Sequence, residues 1–278
     1  LVRDFANWVV HLDPLMTAML SRSAATLCKT HETLRSIPLR FREKCRVQVE
    51  LGTDTTVAAP VHHARPNGGF RVLYVGRLVY WKGLHLALRA FAEFHKLHPD
   101  ARMSVIGKGP DEKWLADLAA SLGLDDTVNW ISHLEHAGVL RAYARHDAFL
   151  FPSLHDSSGN VVLEALSSGL PVVCLDTGGP AVLVDPSCGF KVRPGAPEQV
   201  VEDLARALDE LARDPALRRA MSQAASDRAR EDFSWTHQIH RMEELYRTVC
   251  APADPGAAAL RTSEEPRWSP LSRCSSSW

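Results

Sequence analysis

Several chemistries leave no trace in this 278-residue chain. There is no Cys-x-x-Cys, and the six cysteines are scattered at positions 28, 45, 174, 188, 250 and 274. That pattern speaks against a disulfide framework or a zinc site and for a reducing compartment. No Asp-x-Asp occurs, so no paired-carboxylate metal site is expected. Gly-x-Ser-x-Gly and Gly-x-x-x-x-Gly-Lys are also missing, which leaves a hydrolase elbow and a P-loop unsupported. No apolar run reaches the roughly 18 residues of a membrane-spanning helix. The net charge is only -1, and no excess of either sign points to nucleic acid or an anionic membrane surface. The first stretch, "LVRDFANWVVHLDPLM", lacks the apolar core and small-residue cleavage site of a signal peptide. Leu1 in place of an initiator Met leads to the expectation of a piece of a longer protein.

What is present is a hydrophobic content of 45%, enough for real cores. From 71 to 193, short apolar strands alternate with amphipathic helices. Strands are expected at 71–76, 103–107, 127–131, 148–151, 171–176 and, more weakly, 189–192. Helices are expected at 83–99, 111–123, 137–146 and 160–169. That alternation predicts an α/β fold, a doubly wound parallel sheet with helices on both faces. Residues 196–231 read as helical, and 234–249 as a further helix with Ser234 as its N-cap. Residues 1–57 offer two or three helical pieces and two strand-like ones, "AATLCK" and "CRVQVE", too little for a sheet domain. The expected divisions are a remnant of another domain (1–57), a linker (58–70), the sheet domain (71–232), a last helix (233–250) and a disordered tail (251–278).

In an open parallel sheet, ligands bind where strands end and helices begin. In "GRLVYWKG", Gly76 ends a strand, Arg77 and Lys82 follow, and Gly83 opens a helix. Two cations there suit a phosphate pair, although two solvated surface cations give the same pattern. "GKGP" at 107–110 is a partial dinucleotide fingerprint or a plain tight turn. The third junction is "LHDSSGNVVLEALSSGLPVV", 154–173. Asp156, Ser157, Ser158 and Gly159 precede a helix whose N-terminal amides favour an anion. Asp156 also reads as a carboxylate near the helix cap. Glu164, among Val161, Val162, Leu163, Ala165 and Leu166, suits a ribose diol in a cleft or a buried salt bridge. His133/His136 and His237/His240 lack a third ligand and read as ordinary polar positions.

"VLYVGRLVYWKGLHLALRAF", "VIGKGP", "FLFPSLHDSSGNVVLEALSSGLPVVCLDTGG" and "FSW" together resemble the donor-binding domain of the family 4 retaining glycosyltransferases of GT-B fold. The resemblance runs from about residue 15 to 250, with "VELGTDTT" similar to the segment joining the family's two domains. It implies a Rossmann-like domain that binds a nucleoside-diphosphate sugar as substrate, with no cofactor and no metal. Glu164 would bind the ribose. Asp156, with the amides of Ser158, Gly159, Asn160 and Val161, would hold the sugar hydroxyls and diphosphate. Gly76 would line the site, and Arg77 and Lys82 would neutralise the leaving diphosphate. The family's first acidic residue is usually Glu, and the position four after Gly178, often Glu, is Val182 here. The implied reaction is transfer to a glycan or lipid-linked acceptor with retention, in the cytoplasm or at the membrane periphery. A GT-B nucleotide-sugar epimerase and a non-catalytic nucleotide-sugar-binding domain stay open as alternatives, as does inactivity of so short a chain.

Overall fold

A computed structural model describes residues 13–54 and 69–250. The expected tail at 251–278 and all but the last two residues of the expected linker lie outside them.

The N-terminal part is small. Helix α1, Pro14–Arg22, starts at Asp13, whose carboxylate accepts from Leu15 N at 2.8 Å. Strand β1, Thr26–Cys28, is followed by α2, His31–Ser36, which is capped by the Thr30 hydroxyl. A 3-10 turn, Leu39–Lys44, leads to β2, Cys45–Val47, which pairs in parallel with β1. The two strand-like pieces of the sequence thus find each other rather than joining the main sheet.

The main sheet has six parallel strands. They are β3 Arg71–Val75, β4 Arg102–Ile106, β5 Val128–Ile131, β6 Ala148–Phe151, β7 Val172–Leu175 and β8 Gly189–Val192. Their spatial order is β5-β4-β3-β6-β7-β8. Strands β6 and β7 are buried at every residue, as strands covered on both faces must be.

Helices α3, Leu84–Leu97, and α4, Glu112–Ser121, fill the crossovers among the first three strands. Helices α5, His136–Tyr143, and α6, Asn160–Ser167, serve the other half. Helix α3 buries Leu84, Ala87, Leu88, Phe91 and Phe94 at helical spacing. Between β7 and β8 lies α7, Gly178–Leu183, a helix that the Gly-Gly-Pro sequence disguises as a turn. The helical stretch after β8 is two helices, α8 Pro197–Arg213 and α9 Pro215–Phe233. Pro215 ends the first, and the Asp214 carboxylate caps the second through the amides of Ala216 and Leu217. Helix α8 packs with α3 on one face of the sheet, while α9 packs with α6 on the other.

The last helix, α10 Trp235–Cys250, follows Ser234, whose hydroxyl accepts from His237 N, as a capping residue's should. Thr53 bridges to this junction, donating to Phe233 O at 2.8 Å.

Candidate functional site

The sheet order reverses between β3 and β6, the switch point at which open parallel sheets bind ligands, at the carboxyl ends of the strands. After β3 the chain runs through Gly76 and Arg77 into a short 3-10 turn, Tyr80–Lys82, and then Gly83, whose φ is 73°. After β6 it runs through Pro152 and Ser153 to Asp156. The two loops are stitched together: Leu154 N donates to Trp81 O at 2.9 Å, and the Ser153 hydroxyl donates to the same oxygen.

This stitching places Lys82 beside Asp156. Lys82 Nζ donates to Asp156 Oδ2 at 2.6 Å, with side chains only 20% and 13% exposed. The other carboxylate oxygen, Oδ1, accepts from Ser158 N at 3.1 Å and Gly159 N at 2.8 Å. The ammonium also lies 5.7 Å over the Phe151 ring. Beneath the pair, Tyr74 is fully buried and its hydroxyl donates to Lys82 O at 3.2 Å. Burial, and secondarily the Asp156 charge, pushes this phenol far above its ordinary value.

Gly159 opens α6 with φ 83°. The amides of Asn160 and Val161 occupy the first turn of that helix, where no carbonyl of the same helix reaches them. Glu164 lies one turn further, about 6 Å along the axis at 1.5 Å per residue. Its Oε2 accepts from the Tyr143 hydroxyl at 3.2 Å, and that hydroxyl also reaches Val161 O at 3.1 Å. Burial raises the Glu164 carboxyl above the usual range, while the Tyr143 bond and the His136 charge hold it back.

Five of the predicted residues fall into two groups. Lys82, Asp156, Ser158 and Gly159 form one contact cluster; Glu164 sits apart with Tyr143. Asn160 and Arg77 are exposed, and the Arg77 side chain makes no hydrogen bond or ion pair among the described residues. Two details add to the sequence expectation. The amides of Ser158 and Gly159, expected to face a diphosphate, are taken by Asp156. Asp156 itself, expected to face sugar hydroxyls, has both oxygens engaged. The physical reason is proximity: an aspartate two and three residues ahead of free amides folds back onto them.

"GKGP" takes the form of the plain tight turn. A Cβ at Gly107 would meet Gly76 O at 1.9 Å, and one at Gly109 would meet Leu78 O at 2.2 Å. These glycines let two backbones touch.

Sequence reasoning missed Tyr143 and Glu32. The chain has four tyrosines, and a buried one must place its hydroxyl; that was the available signal for Tyr143. Glu32 had none. It reaches across 145 residues to accept from the Thr177 hydroxyl at 2.6 Å, and it accepts from Gly178 N at 3.0 Å. The turn it holds also supports the site, since Gly179 N donates to Asp156 O at 2.7 Å.

A cavity of about 1070 Å³ lies against α3 and α8, bordered by Tyr80, His85, Trp114 and Leu154. Tyr80 stacks on His85 there, with ring centroids 4.6 Å apart. None of the predicted site residues lines it.

Residues 59–228 match the sequence family described as glycosyl transferases group 1. A glycogen synthase of Mycobacterium tuberculosis is 33% identical over 189 residues, covering 67% of this chain and 45% of that enzyme. A D-inositol 3-phosphate glycosyltransferase of Corynebacterium aurimucosum is 32% identical over 229 residues, covering 80% and 50%. The chain thus spans about half the length of the curated relatives it matches. Among solved structures, Anabaena HepE in complex with UDP and glucose superposes with a TM-score of 0.64 at 19% identity, covering 83% of this chain and 64% of that one. The shared fold is that of the GT-B glycosyltransferases.

Proposed function

The chain belongs to the glycosyl transferases group 1 family, and from that premise we propose that it is the donor-binding half of a retaining, metal-independent glycosyltransferase. The donor is a nucleoside-diphosphate sugar and the acceptor a glycan or a lipid-linked sugar. The observation that carries this reading is the cluster at the sheet's switch point: one largely buried ammonium and two backbone amides converging on a single anion. Glu164 and Tyr143, one helical turn away, offer a carboxylate and a hydroxyl to the ribose. Residues 1–57 are then the end of an acceptor-side domain. No described helix is long and apolar enough to cross a membrane. The proposed setting is the cytoplasm, with peripheral membrane contact where the acceptor is lipid-linked.

The mechanism follows from charge. As the glycosidic bond breaks, positive charge grows on the anomeric carbon and negative charge on the departing diphosphate. In this reading Lys82, Arg77 and the amides from Ser158 to Val161, which lead into α6, face that growing negative charge and lower the barrier. They supply the countercharge that a bound divalent cation supplies in other transferases. Nucleotide-sugar binding is therefore expected to be unchanged by EDTA in calorimetry; a complete loss restored by magnesium would refute metal independence. The Gly-Arg-x-x-x-x-Lys-Gly stretch, together with the Asp156/Glu164 pair, favours a transferase over an epimerase of the same fold.

Glu164→Gln keeps the size and removes the charge. Because Glu164 faces the ribose in this reading, uridine, UDP and a UDP-sugar should all weaken together, by about 1–3 kcal/mol. Calorimetry with the three ligands decides: a lower melting temperature with unchanged binding by the folded fraction would make Glu164 a purely structural residue. The pH dependence adds a sign. The folded carboxyl keeps its proton to higher pH than the unfolded one, so the folded state binds more protons between the two values. Stability then falls as pH rises through that window. The Gln variant lacks this slope.

A further inference from the structure

Asp156 occupies the groups that a diphosphate needs. Its Oδ2 takes Lys82 Nζ at 2.6 Å, and its Oδ1 takes the amides of Ser158 and Gly159 at 3.1 and 2.8 Å. These are the ammonium and the two amides just ahead of α6 whose convergence on one anion carries the proposed function. A carboxylate and a phosphate present the same thing to such donors, a delocalised negative charge on neighbouring oxygens. The main chain at Asp156 is pinned, since its carbonyl accepts from Gly179 N at 2.7 Å and lies 2.2 Å from where a Cβ on Gly178 would be. The side chain is held by those three contacts, and a ligand that replaces them leaves it to turn about its own bonds.

We infer that Asp156 is a built-in stand-in for the diphosphate, which it blocks until a donor displaces it. The inference rests on the diphosphate reading of this cluster. Displacement does two things at once. It frees Lys82 and the two amides for phosphate oxygens, and it releases a carboxylate beside the donor sugar, where hydroxyls can satisfy it. A nucleotide that carries a sugar offers that compensation and a bare nucleoside diphosphate does not. After transfer, the returning carboxylate competes with the product for the same donors and favours its release.

Inorganic pyrophosphate, which carries neither base nor sugar, is the probe, titrated calorimetrically into wild type, Asp156→Asn and Asp156→Ala. Asn gives up the charge that holds Lys82 but keeps an acceptor for the two amides; Ala frees all three donors. Pyrophosphate is expected to bind about tenfold tighter to the Asn variant, the effect of releasing one charge-assisted bond, and tighter again to the Ala variant. Affinity equal to or below wild type in both variants overturns the inference. So does an equal gain in both, which would reduce the effect to lost charge. Failure of all three proteins to bind pyrophosphate overturns the diphosphate reading itself. Should the Ala variant unfold, Asp156→Asn is combined with Lys82→Met. The Asn gain must then vanish, whereas simple charge removal would preserve it.

Discussion

Lys82→Ala is expected to weaken nucleoside-diphosphate binding about ten- to hundredfold, the effect of losing a charge-assisted bond, and to leave nucleoside binding nearly unchanged. Two effects add. The variant lacks the cation that meets phosphate, and it leaves Asp156 negative and largely buried with its Oδ2 unpaired. That uncompensated charge faces any incoming anion. Arg77→Ala removes the same sign of charge from an exposed side chain, where solvent screens it, so its loss should be smaller. Calorimetry with uridine and UDP separates the terms, read on the folded fraction because breaking a partly buried pair also lowers stability. Equal losses for both ligands would show that Lys82 acts on the fold and not on the phosphate.

Gly83→Ala should damage the fold far more than the same substitution at an uncrowded glycine with a similar backbone angle. Gly83 has φ 73°, and a Cβ there would lie 1.9 Å from the Pro152 carbonyl oxygen. Gly123 has nearly the same φ, 71°, and nothing within 4 Å of the added atom. The pair isolates the two costs. Gly123→Ala bears only the left-handed backbone penalty, about 1–2 kcal/mol. Gly83→Ala must also push the end of β6 away from the turn that follows β3, and a total above about 4 kcal/mol is expected. Thermal melts of the two variants check this. Similar melting temperatures would mean that the β3 and β6 loops yield easily to the added atom.

Most of the sheet was legible because its signal is periodic. The apolar runs at 71–76 and 148–151 can be satisfied only by burial on both faces, and the register pairs Val72 with both Met103 and Ala148. Helix α7 was not legible. Gly178 and Gly179 weaken a helix, and what steadies its start is Glu32, a residue with no local link to it. The same distinction divides the site. Lys82 and Glu164 stood out because charges are rare among apolar neighbours. Their partners did not: whether Lys82 reaches Asp156, or Tyr143 reaches Glu164, depends on how two loops or two helices pack, and no spacing within one segment encodes that. The GKGP turn was ambiguous in sequence because glycine serves equally for approaching a ligand and for approaching another backbone. Here the close neighbours are Gly76 and Leu78.

The strand order also bears on how the molecule is made. Strands β3, β4 and β5 are neighbours in sequence as well as in space, so each can pair once a single helical crossover has left the ribosome. Strand β6 joins β3 across a long gap; Arg71 N meets the Asp147 carboxylate at 2.9 Å from 76 residues away. The chain must hold three paired strands with one edge of β3 open until residue 148 arrives. Lys82 belongs to the early half and Asp156 to the late one. A nascent chain that ends at residue 147 has half a sheet and lacks Asp156, the partner of Lys82. Closing the seam and assembling the ion pair are thus one event in synthesis, and a substitution that slows β3–β6 pairing delays both while leaving the exposed strand edge open to other chains.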